Sequence, residues 1–377
     1  MSPNTTPDGT RRWDWVGPVL VACALAGWLA TLGVLWLHPT ASLPRYFVDH
    51  YLVLDATSLL FVLVVNTVFL GICVYLYSRE RNTPALQHDI RSRAALMLAF
   101  MVTVNLGLLA NHLVLQWCLI EVSTLFIAPL VARGELTHPR ATAWRYLLYS
   151  AMSLGLTFIG FLPLAQSGHL RGVEPSFMVD ALGASLTTNP DAWQRLGLSF
   201  ILFGLGSKLG LAPLYGWLPE TYEGAPTSTS ALLASVQFNV GMVAVFRILQ
   251  ICRGTDVGFV SQELLVMGYL SLVVATIQIM ATSNYKRLIA YACVSSSGVI
   301  GVGLSVGEAA AYGVVLYIVS NAFVKSLLFL TAGRLRAVYR TNEVGPLSGV
   351  IRSMPLAGLL FTAEFTCFLK GIYHLRQ

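Results

Sequence analysis

The chain has 377 residues, of which 55% are hydrophobic and only 11% charged, with a formal net charge of +6 at pH 7. Soluble domains carry about 25% charged residues, so this composition excludes a water-soluble globular protein and points to an integral membrane protein. The apolar runs are continuous rather than alternating, which excludes a membrane β-barrel. The surplus positive charge lies in arginines between apolar runs, as the positive-inside rule requires, and gives no nucleic-acid-binding face.

Taken in chain order, windows long enough to cross a bilayer as helices fall at 15–37, 52–78, 94–111, 112–132, 145–166, 195–217, 228–251, 262–282, 286–306, 309–334 and 354–374. The prediction is an all-α integral membrane protein with about 11 transmembrane helices forming one transmembrane domain over 1–377. The first window is too long for a signal-peptide core and lacks a cleavage site. Asn111 and His112 mark a turn between the third and fourth windows, and Asp55 stands where it can cap the second. With a cytoplasmic N-terminus, most arginine-bearing loops fall on the cytoplasmic side: Arg11 and Arg12, Arg79 to Arg93, Arg133 to Arg145, Lys286 with Arg287, and Arg334 to Arg340. Arg247 and Arg253 fall on the opposite side, and the acidic segment PETYEGAP lies on the basic one. The six cysteines sit in apolar stretches with no CxxC or Cys/His cluster. No zinc or iron–sulfur centre is expected, and no other metal or cofactor.

Only four lysines occur, against twenty arginines. Lys286 stands at a span boundary and reads as topological. Lys208, Lys325 and Lys370 lie inside apolar windows, where a central charge costs about 2.5–3.5 kcal/mol on insertion scales. A lysine taken out of water can release its proton, whereas arginine cannot. These three residues are therefore candidate proton carriers, with snorkelling to an interface and static ion pairing as the alternatives. Glu121, alone in LVLQWCLIEVSTLFIAPLVA, is the matching acid, and Lys208 is its expected partner. Two breaks are expected. Pro213 and Pro219 in GSKLGLAPLYGWLPETYEGAP should interrupt the helix that carries Lys208. Asn321, beside Ser320, should accompany a second break before Lys325. Freed backbone groups at membrane depth imply a hydrated cavity. Glycine-rich GLGSKLG and GVIGVGLSVG follow no strand and read as close helix packing rather than nucleotide loops.

The same residues carry a resemblance. SKLGLAPLYGWLPETYEGAPTSTSALLASVQFNVGMVAVFR resembles the signature of the antiporter-like proton-pumping subunits of respiratory complex I and group 4 membrane-bound hydrogenases. SNYKRLIAYACVSSSGVIGVGL and NAFVKSLLFLTAGRL resemble two further signatures in the same order, and WCLIEVSTLFIAPLV resembles the glutamate-bearing helix. The resemblance spans roughly residues 50–350, and LLASVQFNVGMVAVFR is most similar to the component F branch of hydrogenase-4. It implies two inverted repeats of five helices with broken members, at 112–251 and 262–374, the second shortened. It implies a proton path from the Glu121–Lys208 pair to Lys325, with Lys370 in the place of a late charged residue. Asn239 and Asn321 stand where many members have lysine and histidine.

By this resemblance the chain is a multi-pass inner-membrane subunit that moves protons, or sodium ions, in the lipid bilayer. It would be driven by other membrane subunits and a cytoplasmic-side soluble module. Three functions stay open: a subunit of a redox-driven complex, an ion-coupling subunit of a non-redox complex (bicarbonate or CO2 uptake with a zinc-protein partner, or Na+/H+ antiport), and a structural subunit. No redox or hydrolytic active site is expected in the chain.

Overall fold

In the computed structural model, which describes residues 15–37, 43–81, 90–134, 139–186, 189–253, 258–345 and 350, the apolar windows form helices. They are α1 (Val16–Leu37), α2 (Ala56–Arg81), α3 (Ile90–Leu109), α4 (Leu113–Val131), α5 (Pro139–Leu170) and α6 (Val179–Ser185). Then come α7 (Ala192–Lys208), α8 (Trp217–Gly224), α9 (Thr227–Ala231), a π-helical stretch Leu232–Gln237, α10 (Phe238–Ile251), α11 (Gly258–Ala281), α12 (Tyr285–Ser305) and α13 (Glu308–Tyr339). A short antiparallel hairpin of β1 (Arg45–Phe47) and β2 (Leu52–Leu54) precedes α2. Among the described residues, nine helical segments are long and apolar enough to cross a membrane, counting α9 through α10 as one. The expected eleventh window, 354–374, and Lys370 within it lie outside the described residues.

Burial follows from the solvent the helices meet. Large apolar side chains face outward, among them Trp144, Met152 and Leu162 on α5 and Val266, Val273 and Ile277 on α11. Hydroxyls, amides and three of the four lysines are turned inward. Lipid tails supply no hydrophobic force between helices, so close packing must hold them together. α5 meets α7 where Gly160 opposes Gly197: a Cβ added to Gly160 would come 2.6 Å from the Gly197 carbonyl oxygen. α11 meets α12 in the same way at Gly268 and Gly298, where a Cβ on Gly298 would come 2.8 Å from the Gly268 carbonyl oxygen.

Charges at the helix ends pair across elements. Arg247 is buried on α10 and donates to Asp55 at 2.7 Å and to Ser58 at 2.9 Å. Asp55 also accepts from the Ser58 N–H at 2.7 Å, capping α2. The cationic residue on the unexpected side is thus one half of a tie between α2 and α10. Burial pushes the Asp55 carboxyl up, but the charge and hydrogen bonds of Arg247, with help from Ser58, bring it below its ordinary value. At the arginine-rich end, the acids of PETYEGAP are matched: Glu220 pairs with Arg145, and Glu223 lies 3.8 Å from Arg287.

Candidate functional site

Lys208 is the last residue of α7 and is buried. The helix starts at a capping box, in which Asp191 accepts from the Gln194 N–H at 2.7 Å. It ends at glycine rather than at proline. Gly210 has φ +81°, and its N–H bonds the Ser207 carbonyl at 3.1 Å while the Leu211 N–H bonds the Gly206 carbonyl at 2.9 Å. That paired pattern is a Schellman cap, which needs a residue in the left-handed region. The break after Lys208 is present, but its cause differs from the expected one. Pro213 lies beyond the cap, exposed in the loop before α8. Pro219 sits in the first turn of α8, where a missing N–H removes no intrahelical bond. The loop is held at both sides: Ala212 N–H donates to Ser271 on α11 at 2.8 Å, and Trp217 Nε1 donates to the Ser207 carbonyl at 3.0 Å.

The Lys208 ammonium donates to Thr124 Oγ1 on α4 at 2.7 Å and to Ser150 Oγ on α5. It also lies 5.1 Å from the Tyr146 ring centroid and 5.9 Å from that of Trp217, in cation–π range. Glu121 stands one turn before Thr124 on α4, close enough for its charge to act on Lys208. No hydrogen bond or ion pair joins the two, and Glu121 Oε2 is buried without a partner. The direct Glu121–Lys208 pair expected from the sequence is therefore not made. Two neutral hydroxyls hold the ammonium instead, which leaves the carboxylate adjacent but separate.

A line of polar groups leads away from this centre. Ser123, next to Thr124, donates to Gln237 Oε1 at 2.9 Å. Gln237 closes the π-helical stretch, a widened turn that occurs frequently at functional sites. Asn239 is buried, with its Nδ2 on the Ser235 carbonyl at 2.5 Å. Between Gln237 and Asn239 is Phe238, whose ring centroid lies 4.4 Å from Lys325 Nζ. Lys325 is only 2% exposed and its ammonium has no hydrogen-bond partner. On α13, Tyr317, Asn321 and Lys325 follow at spacings of four, so they form one stripe. Each of the three has a buried polar atom without a partner. α13 runs unbroken through Asn321, so the second expected break is absent. Ser297 on α12 donates to the Leu209 carbonyl at 2.9 Å, tying the end of α7 to the helix beside α13.

Residues 110–370, well over half the chain, match the family described as NADH:quinone oxidoreductase/Mrp antiporter, TM. The chain belongs to this family. It is an antiporter-like, multi-pass protein of the inner membrane. It is 26% identical over 325 residues to the hydrogenase-4 component F homolog of Methylacidiphilum infernorum, covering 82% of this chain and 66% of that protein. It is 30% identical over 311 residues to the N subunit of the NADH-quinone oxidoreductase of Desulforudis audaxviator, covering 80% and 60%. It is 27% identical over 327 residues to the D subunit of the Na(+)/H(+) antiporter of Bacillus subtilis, covering 85% and 64%. The chain thus spans 60–66% of the length of these relatives. Its fold is that of a chain in the membrane-bound sulfane sulfur reductase, an archaeal respiratory membrane complex, with TM-score 0.81 at 20% identity, covering 93% of this chain and 72% of that one. The Mrp complex from Dietzia sp. contains a similar fold, with TM-score 0.78 at 18% identity, covering 95% and 66%.

Several members of this candidate site escape a reading of the sequence. Thr124, Ser150, Tyr146 and Tyr317 surround the lysines or continue their line, yet each passes in a sequence for an ordinary helical residue. Their signal is spacing: Thr124 is three residues after Glu121, Ser150 four after Tyr146, and Tyr317 eight before Lys325. Lys286, expected as a loop cation, is buried at 1% exposure. It donates to the carbonyls of Glu223, at 2.9 Å, and Ala225, satisfying orphan acceptors where α8 ends.

Proposed function

We propose that the chain is a proton-translocating subunit of a larger membrane complex. In this reading Lys208 and Lys325 alternately hold and release a proton, and Glu121 changes how tightly Lys208 holds it. One observation carries the reading. Both lysines are buried with no hydrogen-bonding carboxylate, and unpartnered polar atoms of Glu121, Tyr146, Gln237, Asn239, Tyr317 and Asn321 accompany them from α4 to α13. A buried polar atom without a partner costs about 1–3 kcal/mol. A string of them is sustainable where water bridges them, and bridging water also conducts protons. Driving energy would come from neighbouring membrane subunits and a soluble module at the arginine-rich end. Lys370 is proposed as a later carrier on the same path. The similarity to a Na(+)/H(+) antiporter chain supports a second reading, cation exchange without redox chemistry.

The test is Lys208→Arg and Lys325→Arg, each in the assembled complex reconstituted into vesicles with a pH dye inside. Arginine keeps the charge but not the ability to release the proton. Both variants should assemble and lose proton flux by at least about tenfold. Wild-type flux in either would refute the carrier role of that lysine. Flux that requires sodium on the opposite side would select the exchange reading.

A further inference from the structure

The ammonium of Lys325 is buried without a hydrogen-bond partner, with the Phe238 ring on one side. The packing of α12 against α13 shows what stands on the other. These consecutive helices run antiparallel. A Cβ on Gly303 would come 2.5 Å from Val314 Cγ2, and the Tyr285 hydroxyl donates to the Ala332 carbonyl at 3.3 Å. Both contacts give one register, in which Cys293 falls opposite Val324 and Ser296 opposite Asn321. A helical side chain leans toward its own N-terminus, which carries the Lys325 ammonium back toward the level of Asn321. It thus reaches along the α12 stretch between Cys293 and Ser296. Ser296 spends its hydroxyl on the Ala292 carbonyl, whereas the Cys293 thiol is free and buried at 2% exposure. The charges of Cys293 and Lys325 act on one another, and among the described residues no other titratable side chain acts on Lys325. The phenols of Tyr222 on α8 and Tyr317 on α13 also lie near Cys293. Phenols keep their protons to about pH 10 and bring no charge to the pair. α9 and the π-helical stretch carry no titratable side chain, none on α2 acts on the pair, and Glu263 of α11 bonds Ser199 of α7.

We propose that the Cys293 thiol is the acidic partner of Lys325 and shares one proton with it. Cys293 acts through the lysine, as a positioning residue, and its part in transport rests on the proposed role of Lys325 as a carrier. The exchange within the pair is balanced. The S–H bond breaks, an N–H bond forms on the amine, and thiol plus amine become thiolate plus ammonium. Neither form has a net charge, so the pair avoids the cost of a lone ammonium out of water. A thiolate beside the lysine favours its protonated form. A thiol is weaker than a carboxylic acid by about four pH units, so it favours the ammonium without fixing the proton there. Lys208 has Glu121 nearby for the same task, and α13 and its neighbours offer Lys325 no carboxylate.

Two measurements on the assembled complex in vesicles test this. In the first, proton flux is followed with an internal dye as the pH is raised. Cys293→Ser keeps the size of the side chain but does not ionise in the working range. Its alkaline limb should lie lower by about one pH unit, tenfold in proton concentration, because the thiolate that favours the ammonium is gone. In the second, infrared spectra follow the S–H stretching band that Cys293→Ser lacks. In wild type this band should fade between about pH 6 and 10, and in Lys325→Met only at higher pH, since no ammonium then offsets the thiolate. Cys293→Ala takes the place of Cys293→Ser in both measurements if the serine variant does not assemble. The infrared titration needs no proton flux, so it decides the pairing even where the carrier role of Lys325 fails. An alkaline limb that does not move, with flux lowered equally at every pH or not at all, overturns the proposal. So does an S–H band whose titration is the same in wild type and Lys325→Met.

Discussion

Two glycines in one loop should respond oppositely to alanine. Gly210 has φ +81° and terminates α7, whereas Gly216 has φ −56° and ψ −27° at the start of α8. Alanine at 210 must adopt the left-handed region, at about 1–2 kcal/mol. Its Cβ would also fall inside the contact distance of Leu218 Cδ1, so the leucine must shift, and overpacking of this kind costs about 1–3 kcal/mol. Against this stands a gain of about 0.4–1 kcal/mol from a stiffer unfolded chain. The net is a loss of about 1–4.6 kcal/mol, roughly fivefold to two-thousandfold in the folding equilibrium. At Gly216 a Cβ meets nothing within 4 Å and the backbone is already helical, so only the gain remains. Unfolding of the purified complex in mixed detergent, titrated with sodium dodecyl sulfate, measures both. Gly210→Ala should unfold at clearly lower denaturant and Gly216→Ala at equal or higher. A Gly210→Ala variant as stable as Gly216→Ala would refute the assignment of the break to the glycine cap.

Glu121→Gln should reduce proton flux more than subunit level, because it keeps the shape of a group that forms no ion pair; unchanged flux at normal levels would remove Glu121 from the mechanism. Thr124→Val should also slow flux while leaving the complex assembled, since it removes one of the two hydroxyls that hold the Lys208 ammonium; flux equal to wild type would show that the hydroxyl does not matter to the carrier. Asp55 predicts an acid limb. Its folded pKa lies below the ordinary 3.8, so the ion pair with Arg247 stabilises fully above that value and is lost as pH falls through the folded pKa. Asp55→Asn should therefore lower stability at neutral pH and flatten its fall between about pH 4 and 2, read from unfolding midpoints against pH.

Hydropathy made nine of the eleven windows legible as spans among the described residues, because a membrane helix needs a continuous apolar run, a property carried by neighbouring residues in the sequence; the sixth window is helical only as far as Lys208. The unusual charges were legible for the same reason: Glu121, Lys208 and Lys325 stand out against apolar surroundings. What stayed hidden was who meets whom. Ser150 lies fifty-eight positions from Lys208, and Asp55 a hundred and ninety-two from Arg247. Nothing local distinguishes a hydroxyl aimed at an ammonium from one that bonds its own helix, as Ser296 does to the Ala292 carbonyl. Proline misleads. It is conspicuous in a helical window, but at Pro219 it falls in a first turn where it breaks nothing. Glycine hides its role, because thirty-two glycines dilute the one that caps α7. The π-helical stretch leaves no mark, since Leu232–Gln237 has the composition of any apolar helix.

The chemistry between the two lysines follows from what stands there. Gln237, Asn239 and Asn321 are amides, and amides neither take up nor give up a proton in the physiological range. On the proposed path, a proton leaving Lys208 for Lys325 therefore has no side chain on which to rest among these three. Each amide, however, offers both a donor and an acceptor, and each has one buried atom still unpartnered. On the proposed path such groups would orient water without competing with the lysines for the proton. The Phe238 ring beside Lys325 adds the complementary constraint: it stabilises the charged ammonium through its face yet accepts no proton. On the proposed path, occupancy of Lys325 would then depend on water reaching past Phe238, whose ring stands beside the ammonium.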